Sequence, residues 1–541
     1  MDRRSFLKSS AAASAVASVS LAGKSAMAGK KKNSIIFASP GTPQSLDSEF
    51  DASLGSFDAV SACYDSLLDY AHMPDPNSPG VTREDIAYKP SHPDGFKMTG
   101  KLAEGWDISS DMSKVTFKLR KGVKSNWGNE LTADDVKWSW DRKLALGAIG
   151  GFFASVLGLK SPDQIKVEGK YAVTFDIGKS APLLFKLHRN PWNNIYDTKK
   201  IKEVASSDDP WAKDWISNNV AGYGPYEMVS LDRGTSFVAK ARKDYWGKKA
   251  SIDTFVMQEV TSSAARTQLI KKGSVDIAQF LTPLEVASLQ GAKGVSIDGA
   301  QSSWMDWINL NAKEAPFSNK QVRQAMNYAF PKAASMDSVY QGYGKVLEGV
   351  IPDVYPGYKG NSMYSVQNLN KAKSLLKDAG YGSGFETYCV YDASQAYMEP
   401  LLVMFRTALA EIGVKLNLKK TPAASFIKEV QSKKHPMTFY RDAPWCPDPG
   451  YAMNLYFLST SFINYSNYAN AEVDKLLLAA ANEGDIKARF DMLEKAQSIV
   501  NDDSPWVQIC NPQFTLVRNS ALKGWVYRTH NHTRAQDFSY S

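Results

Sequence analysis

Residues 115–120, VTFKLR, alternate Val115, Phe117 and Leu119 with Thr116, Lys118 and Arg120, the period of a strand buried on one face. The segment LTADDVKWSWDR follows, with Thr132 as N-cap and Asp135 three residues on, a spacing that predicts a capped helix. Ser318 and Gln321 repeat that spacing before Val322, Ala325, Met326 and Ala329, which share one helical face up to Pro331. Ala372, Leu375, Leu376 and Ala379 predict another inward face, closed by Gly380. Between 385 and 419 the periods run strand, helix, strand: YCVYD, then a helix lined by Phe405, Leu409 and Ile412, then Val414, Leu416 and Leu418 in alternation. That is a βαβ unit, and the class it predicts is α/β.

A chain of 541 residues with 43% hydrophobic composition buries a large core and exceeds one ordinary domain, so two or three globular units are expected. No low-complexity tract or short repeat interrupts it.

Arg3 and Arg4 precede Ser5, Phe6, Leu7 and Lys8, a weakly apolar run follows, and Ala26-x-Ala28 offers a cleavage site. This resembles a twin-arginine export signal. A run of about 15 Ala- and Ser-rich residues is too short and too polar to span a bilayer core of roughly 30 Å. The mature chain is taken to start near Gly29. Residues 1–28 hold four basic side chains and one acidic one, so their removal lowers the net charge from +8 to +5, and no basic stripe interleaved with aromatics points to nucleic acid. Cys63, Cys389, Cys446 and Cys510 are widely spaced and form no C-x-x-C pair. Disulfides and buried free thiols both remain open, and no cysteine sits where a lipid anchor would follow the signal.

Catalytic signatures are absent: no H-E-x-x-H, G-x-S-x-G, Walker A or G-x-G-x-x-G occurs. His530 and His532 would share a strand face but have no Cys or carboxylate set beside them, and are expected to pack rather than bind metal. No cofactor is expected. A large core without catalytic signature points to binding.

Several segments then line up in order: KLAEGWDISSDMSKVTFKLRKGVKSNWGNELTADDVKWSWDR, GYGPYEMVSLDRGTSFVAKARKDYWG, GSVDIA, INLNAKEAPFSNKQVRQAMNYAF, NLNKAKSLLKDAGY, YSNYANAEVDKLL and NDDSPW. Together they resemble the peptide/nickel-type (family 5) extracellular solute-binding proteins of ABC importers, which include the dipeptide- and oligopeptide-binding proteins. The resemblance implies a two-lobed periplasmic binding protein fold with an additional third domain and a ligand cleft between the lobes, closing by hinge motion. It divides the chain into a signal at 1–28, a first lobe at 29–75, 220–302 and 505–541, an extra domain at 76–219, and a second lobe at 303–504. It implies a periplasmic monomer that captures a peptide or similar small polar solute, with the permease subunits as partners, and the N-terminal signal adds the twin-arginine export machinery.

Site residues follow from the same resemblance. Gly222 and Gly224 would let backbone approach the ligand beside the cleft. Family members that take peptides supply an aspartate for the α-ammonium from a segment that here reads FYRDAPWCPDPGY. Aligned on Asp448-Pro449, Trp445 falls at that aspartate's place, whereas a loop two residues longer gives the role to Asp442. Arg441 beside it suits a carboxylate instead. In QSSWMDWINLNA, Trp304 or Trp307 would cover a ligand while Asp306 faces the other way from Trp307. Competing readings are the same capture role for an oligosaccharide, an opine-like solute or a metal chelate, and an exported hydrolase with an unrecognised carboxylate pair.

Overall fold

One sheet of twelve strands runs through the computed structural model of the chain, which describes residues 33–89, 96–178, 181–190 and 192–541. The export signal assigned to residues 1–28 lies outside these. Along the sheet the order is Tyr226–Asp232, Ser236–Ala241, Thr254–Glu259, Ser34–Ser39, Ile277–Ala278, Trp506–Asn519, Met305–Leu310, Met437–Asp442, Phe385–Asp392 and Val414–Thr421. The strands up to Ile277–Ala278 belong to one lobe and those from Met305–Leu310 onward to the other.

Two segments cross between the lobes. Trp506–Asn519 pairs with Met305–Leu310 near its start, Cys510 facing Asp306, and with Val295–Gln301 toward its end, Gln513 facing Gln301. Residues 302–304 join those two partners and form the second crossing. They are laced to the first: Ser302 Oγ donates to Pro512 O at 2.5 Å, Gln301 Nε2 to Asn511 O at 3.2 Å and Asn511 Nδ2 to Ser302 O at 3.1 Å. Two crossing segments between lobes are the arrangement about which hinge motions occur.

A separate antiparallel sheet, Ala103–Ile108, Lys114–Leu119, Ala172–Asp176 and Ile165–Val167, lies in the middle segment. Val115, Phe117 and Leu119 are buried as their alternation predicts. The helix Ala133–Leu146 starts at Thr132, whose amide and hydroxyl both donate to Asp135 Oδ2, and seats Trp140 edge-on to Phe175. The apolar core of this segment is continuous with that of the second lobe, through Phe153, Trp192, Cys446, Tyr451 and Trp506.

The βαβ unit forms as Phe385–Asp392, Met398–Ala410 and Val414–Thr421, its strands parallel. One boundary differs from expectation. The helix Lys320–Ala329 is capped by Asn319, one residue beyond Ser318, and the Asn319 side chain accepts from the Gln321 amide at 2.8 Å. All four cysteines are buried free thiols. His530 and His532 lie in an irregular stretch rather than a strand, since Asn531 between them takes φ +56. Among the described residues no group of His, Cys, Asp or Glu is placed to hold a metal, and no helix is long and apolar enough to cross a membrane.

Candidate functional site

In each lobe the parallel strands end on the same side of the sheet. Ser34–Ser39 runs parallel to Thr254–Glu259 and Ile277–Ala278, and Phe385–Asp392 runs parallel to Val414–Thr421 and Met437–Asp442. The carboxyl ends of such strands are where α/β folds open crevices for ligands. Here a cleft of about 510 Å³ opens between Pro40, Thr261 and Phe280 after the first set, Ser394 to Tyr397 after the second, and Trp304 and Phe514 at the crossing segments.

The first-lobe wall is aromatic. Phe280, Trp304 and Phe514 form a triangle with ring centroids 5.8–6.1 Å apart. Phe280 holds a left-handed backbone, φ +50, uncommon for a bulky residue. Arg266 fixes this turn by donating to four carbonyls: Nε to Gln279 O at 2.8 Å, Nη1 to Val260 O at 2.6 Å and Thr261 O at 3.0 Å, and Nη2 to Phe280 O at 3.0 Å. Burial lowers its pKa, with the Glu285 charge opposing.

Arg441 supplies the opposite wall. Its Nε and Nη2 donate side-on to Asp306 Oδ1 and Oδ2 at 2.7 and 2.6 Å. The pairing follows from register, because Asp306 and Arg441 face each other on adjacent antiparallel strands. Asp306 is fully buried and also accepts from Tyr340 Oη at 2.7 Å and Tyr397 Oη at 3.1 Å. The guanidinium carbon lies 4.2 Å from the Tyr397 ring centroid and 5.3 Å from that of Trp304, so it sits against two π faces. Burial opposes the charge, but the Asp306 carboxylate overrides it and holds the Arg441 pKa above its ordinary value. Among the residues lining the cleft, Arg266 and Arg441 are the charged ones, and none is Asp or Glu.

The other expected site residues lie elsewhere. Trp307 is 1% exposed and stacks on Trp506 at 4.1 Å; it is core, as the side opposite Asp306 requires. Asp442 follows Arg441 and therefore projects to the opposite strand face, where it accepts from Tyr456 Oη at 3.1 Å and its neighbour Ala443 N at 2.8 Å. Burial without a cation pushes its pKa up to about 7, the two hydrogen bonds opposing only in part. Trp445 packs on Trp192 at 5.3 Å and Phe152 at 6.0 Å, and its carbonyl accepts from Asn190 Nδ2 and His530 Nε2, both at 2.9 Å. It joins the middle segment to the second lobe and does not line the cleft.

Gly222 and Gly224 are also placed differently from the expectation that they face ligand. A Cβ on Gly224 would lie 2.3 Å from the Cys63 carbonyl carbon, and one on Gly222 would lie 2.5 Å from the Tyr64 ring. The close approach is to the end of the helix Leu54–Cys63, so these glycines are needed for packing. Sequence reasoning missed Phe280, Arg266, Tyr397 and Phe514. Strand alternation marks Asp306 and Arg441 as facing one way each, but nothing local reveals that their strands pair across 135 residues.

A second cavity of about 380 Å³, between the middle segment and residues 448–490, is lined by Phe96, Phe152, Phe462 and Phe490. Its Asp448 and Arg489 are bonded to each other at 2.6 Å, which makes it a poorer site for a polar solute than the cleft.

Comparison with known proteins agrees with this fold. Residues 97–464 match the family described as bacterial extracellular solute-binding proteins, family 5 Middle. The chain is 26% identical over 500 residues to the probable D,D-dipeptide-binding periplasmic protein DdpA of Escherichia coli K12, covering 92% of each. Its fold is similar to that of the periplasmic binding protein DppA from Helicobacter pylori in complex with the peptide STSA, at a TM-score of 0.79 and 22% identity, covering 94% of this chain and 98% of that one. It is also similar to MoaA of A. tumefaciens R10 in complex with mannopinic acid, at a TM-score of 0.76 and 20% identity, covering 95% and 100%.

Proposed function

Because the chain belongs to family 5 of the bacterial extracellular solute-binding proteins, it is the solute-capturing component of an ABC importer, and we propose that it takes a peptide or peptide-like small polar solute into the cleft between Trp304 and Arg441. One observation carries this reading: an oriented, mostly buried guanidinium with free donors and an aromatic wall line one cleft beside the two crossing segments, at the carboxyl ends of both sets of parallel strands. Concave, largely apolar space with a few convergent polar groups is what small-solute sites are made of. Closure over the solute would bring both walls onto it, the form a permease reads. The relatives named for dipeptides support a peptide, and the fold neighbour bound to mannopinic acid supports a non-peptide acid in the same architecture.

Trp304 and Arg441 are the contacts we assign to ligand. We also assign residues 1–28 to twin-arginine export into the periplasm, residues 76–219 to an additional domain, and a monomeric state to the mature protein.

The test is mass spectrometry of the solute that co-purifies with protein exported by its native host, followed by small-angle scattering with and without that solute. Compaction is expected, together with stabilisation of about 2.7 kcal/mol at free solute 100 times the dissociation constant. Identical scattering profiles at saturation would refute hinge capture, and unchanged affinity in Trp304→Ala would move the site elsewhere.

A further inference from the structure

We propose that the cleft selects a solute carrying a carboxylate and no free ammonium, Arg441 taking the carboxylate and the Phe280–Trp304–Phe514 wall taking its apolar body. The proposal rests on the reading of the cleft as the solute site and names the chemical class that site admits.

Arg441 has five N–H donors, of which Asp306 takes one from Nε and one from Nη2. Three remain, two on Nη1 and one on Nη2, on a side chain that is 22% exposed to the cleft. Asp306 has no spare capacity to compete for them or to receive a ligand cation. It is fully buried and already accepts two bonds from Arg441, one from Tyr340 and one from Tyr397. Those four bonds and the flanking rings of Trp304 and Tyr397 fix the guanidinium plane before any ligand arrives. A planar fork held in this way matches the two oxygens of a carboxylate.

Charge points the same way. Arg266 in the first lobe spends its donors on four backbone carbonyls, with no carboxylate in contact. Glu285 offsets the Arg266 charge from behind the lining and Asp306 offsets that of Arg441, so a carboxylate is drawn to the Arg441 donors that Asp306 leaves free rather than to a net charge of the cleft. A zwitterion adds an ammonium to a cleft whose lining offers no Asp or Glu, and whose Thr261 and Phe280 carbonyls already face the Arg266 cation. Its neutral polar groups, Ser394, Gln395 and Gln513 among them, can hydrogen-bond an amide or hydroxyl but cannot neutralise a cation. Asp442, the nearby carboxylate without a cation, projects from the other face of its strand.

Asp306 is then a positioning residue for Arg441. Removing it leaves the arginine charged but free to swing, so recognition of the carboxylate suffers while stacking on Trp304 persists.

Calorimetry on the exported, purified protein with three probes tests this: N-acetyl-Ala-Phe, its C-terminal amide, and free Ala-Phe. The acetylated acid is expected to bind at least about tenfold more tightly than either of the other two, the loss expected when a buried charge loses its partner. Arg441→Gln should abolish the acid-over-amide preference. Asp306→Asn should shrink it, Asp306→Glu should restore part of it, and Trp304→Ala should weaken acid and amide alike. The preference ratio, unlike overall affinity, is not moved by a merely structural defect, and Tyr397→Phe, which keeps the ring and removes one bond to Asp306, serves if Asp306→Asn fails to fold. Equal affinity for acid and amide, tighter binding of free Ala-Phe, or no binding of any probe would overturn the proposal. Compaction with the co-purified host solute that survives Arg441→Gln but not Trp304→Ala would refute the carboxylate role alone. Survival in both variants would refute the cleft as the site.

Discussion

Lys186 and Asp448 meet across the boundary between the middle segment and the second lobe, Nζ 3.0 Å from Oδ2 with 1% of each side chain exposed. Arg489 reaches the same carboxylate from the other side at 2.6 and 3.0 Å, and Asp448 also caps the helix Pro449–Phe457 by accepting from Tyr451 N. Burial alone would raise the Asp448 pKa, but Arg489 and Lys186 hold it well below the ordinary carboxylate value. Asp448→Ala strands two buried cations and removes a cap, and is expected to cost about 3–5 kcal/mol in denaturant unfolding. Because the folded pKa is depressed, this contribution is present above the unfolded carboxylate pKa and is lost as pH falls below it. A variant as stable as the parent at pH 7 would show that the triad is not what joins the two parts.

Gly224→Ala tests the packing role of the glycine turn. The added methyl would meet Cys63 and Tyr64 backbone atoms at 2.3–2.6 Å, which cannot rotate aside, so a loss of about 1–3 kcal/mol is expected. Solute affinity of the folded fraction should not change. Reduced affinity at parental melting temperature would instead return this turn to the ligand site.

Asp442 gives the unliganded protein a pH dependence of a definite sign. Its folded pKa, about 7 against an ordinary 3.8, is raised, so its contribution is fully present below pH 3.8 and is lost as pH rises through about 7. Asp58, likewise buried and raised to about 7, acts in the same direction, which makes the comparison with Asp442→Asn necessary. The variant should gain stability relative to the parent between pH 4 and 7 by thermal unfolding. Parallel stability curves across that range would show that Asp442 titrates normally.

The proposed twin-arginine route depends on Arg3 and Arg4. Replacing both with Lys preserves charge but removes the paired guanidinium groups, and precursor is expected to accumulate in the cytoplasm, as read by fractionation and blotting. Unchanged periplasmic yield would reject the twin-arginine route.

Sequence and structure divide the molecule along a clear line. The alternation at 115–119, the capped helix from Thr132, the amphipathic face ending at Ala329 and the βαβ unit from 385 were all legible, because each depends on neighbours within a few residues. The order of seven segments was enough for the family, and with it the lobes and the cleft. Single residues at the site were less legible. Arg441, Asp442 and Trp445 lie within five residues of one another, yet the first lines the cleft, the second faces away from it and the third packs under the middle segment, since a strand sends neighbours to opposite faces and the loop beyond it turns.

What the sequence by itself determined, then, was which segments become strands and helices and which family they assemble into. Only the tertiary structure decided which strand lies beside which, and so that Asp306 meets Arg441 and that Phe280, Trp304 and Phe514 make one wall. The reason is that periodicity is imposed by backbone geometry within a single element, whereas a cleft is built from contacts more than 100 residues apart. Many alternative pairings satisfy the same hydrophobic pattern, and the choice among them is made by the packing of the whole core.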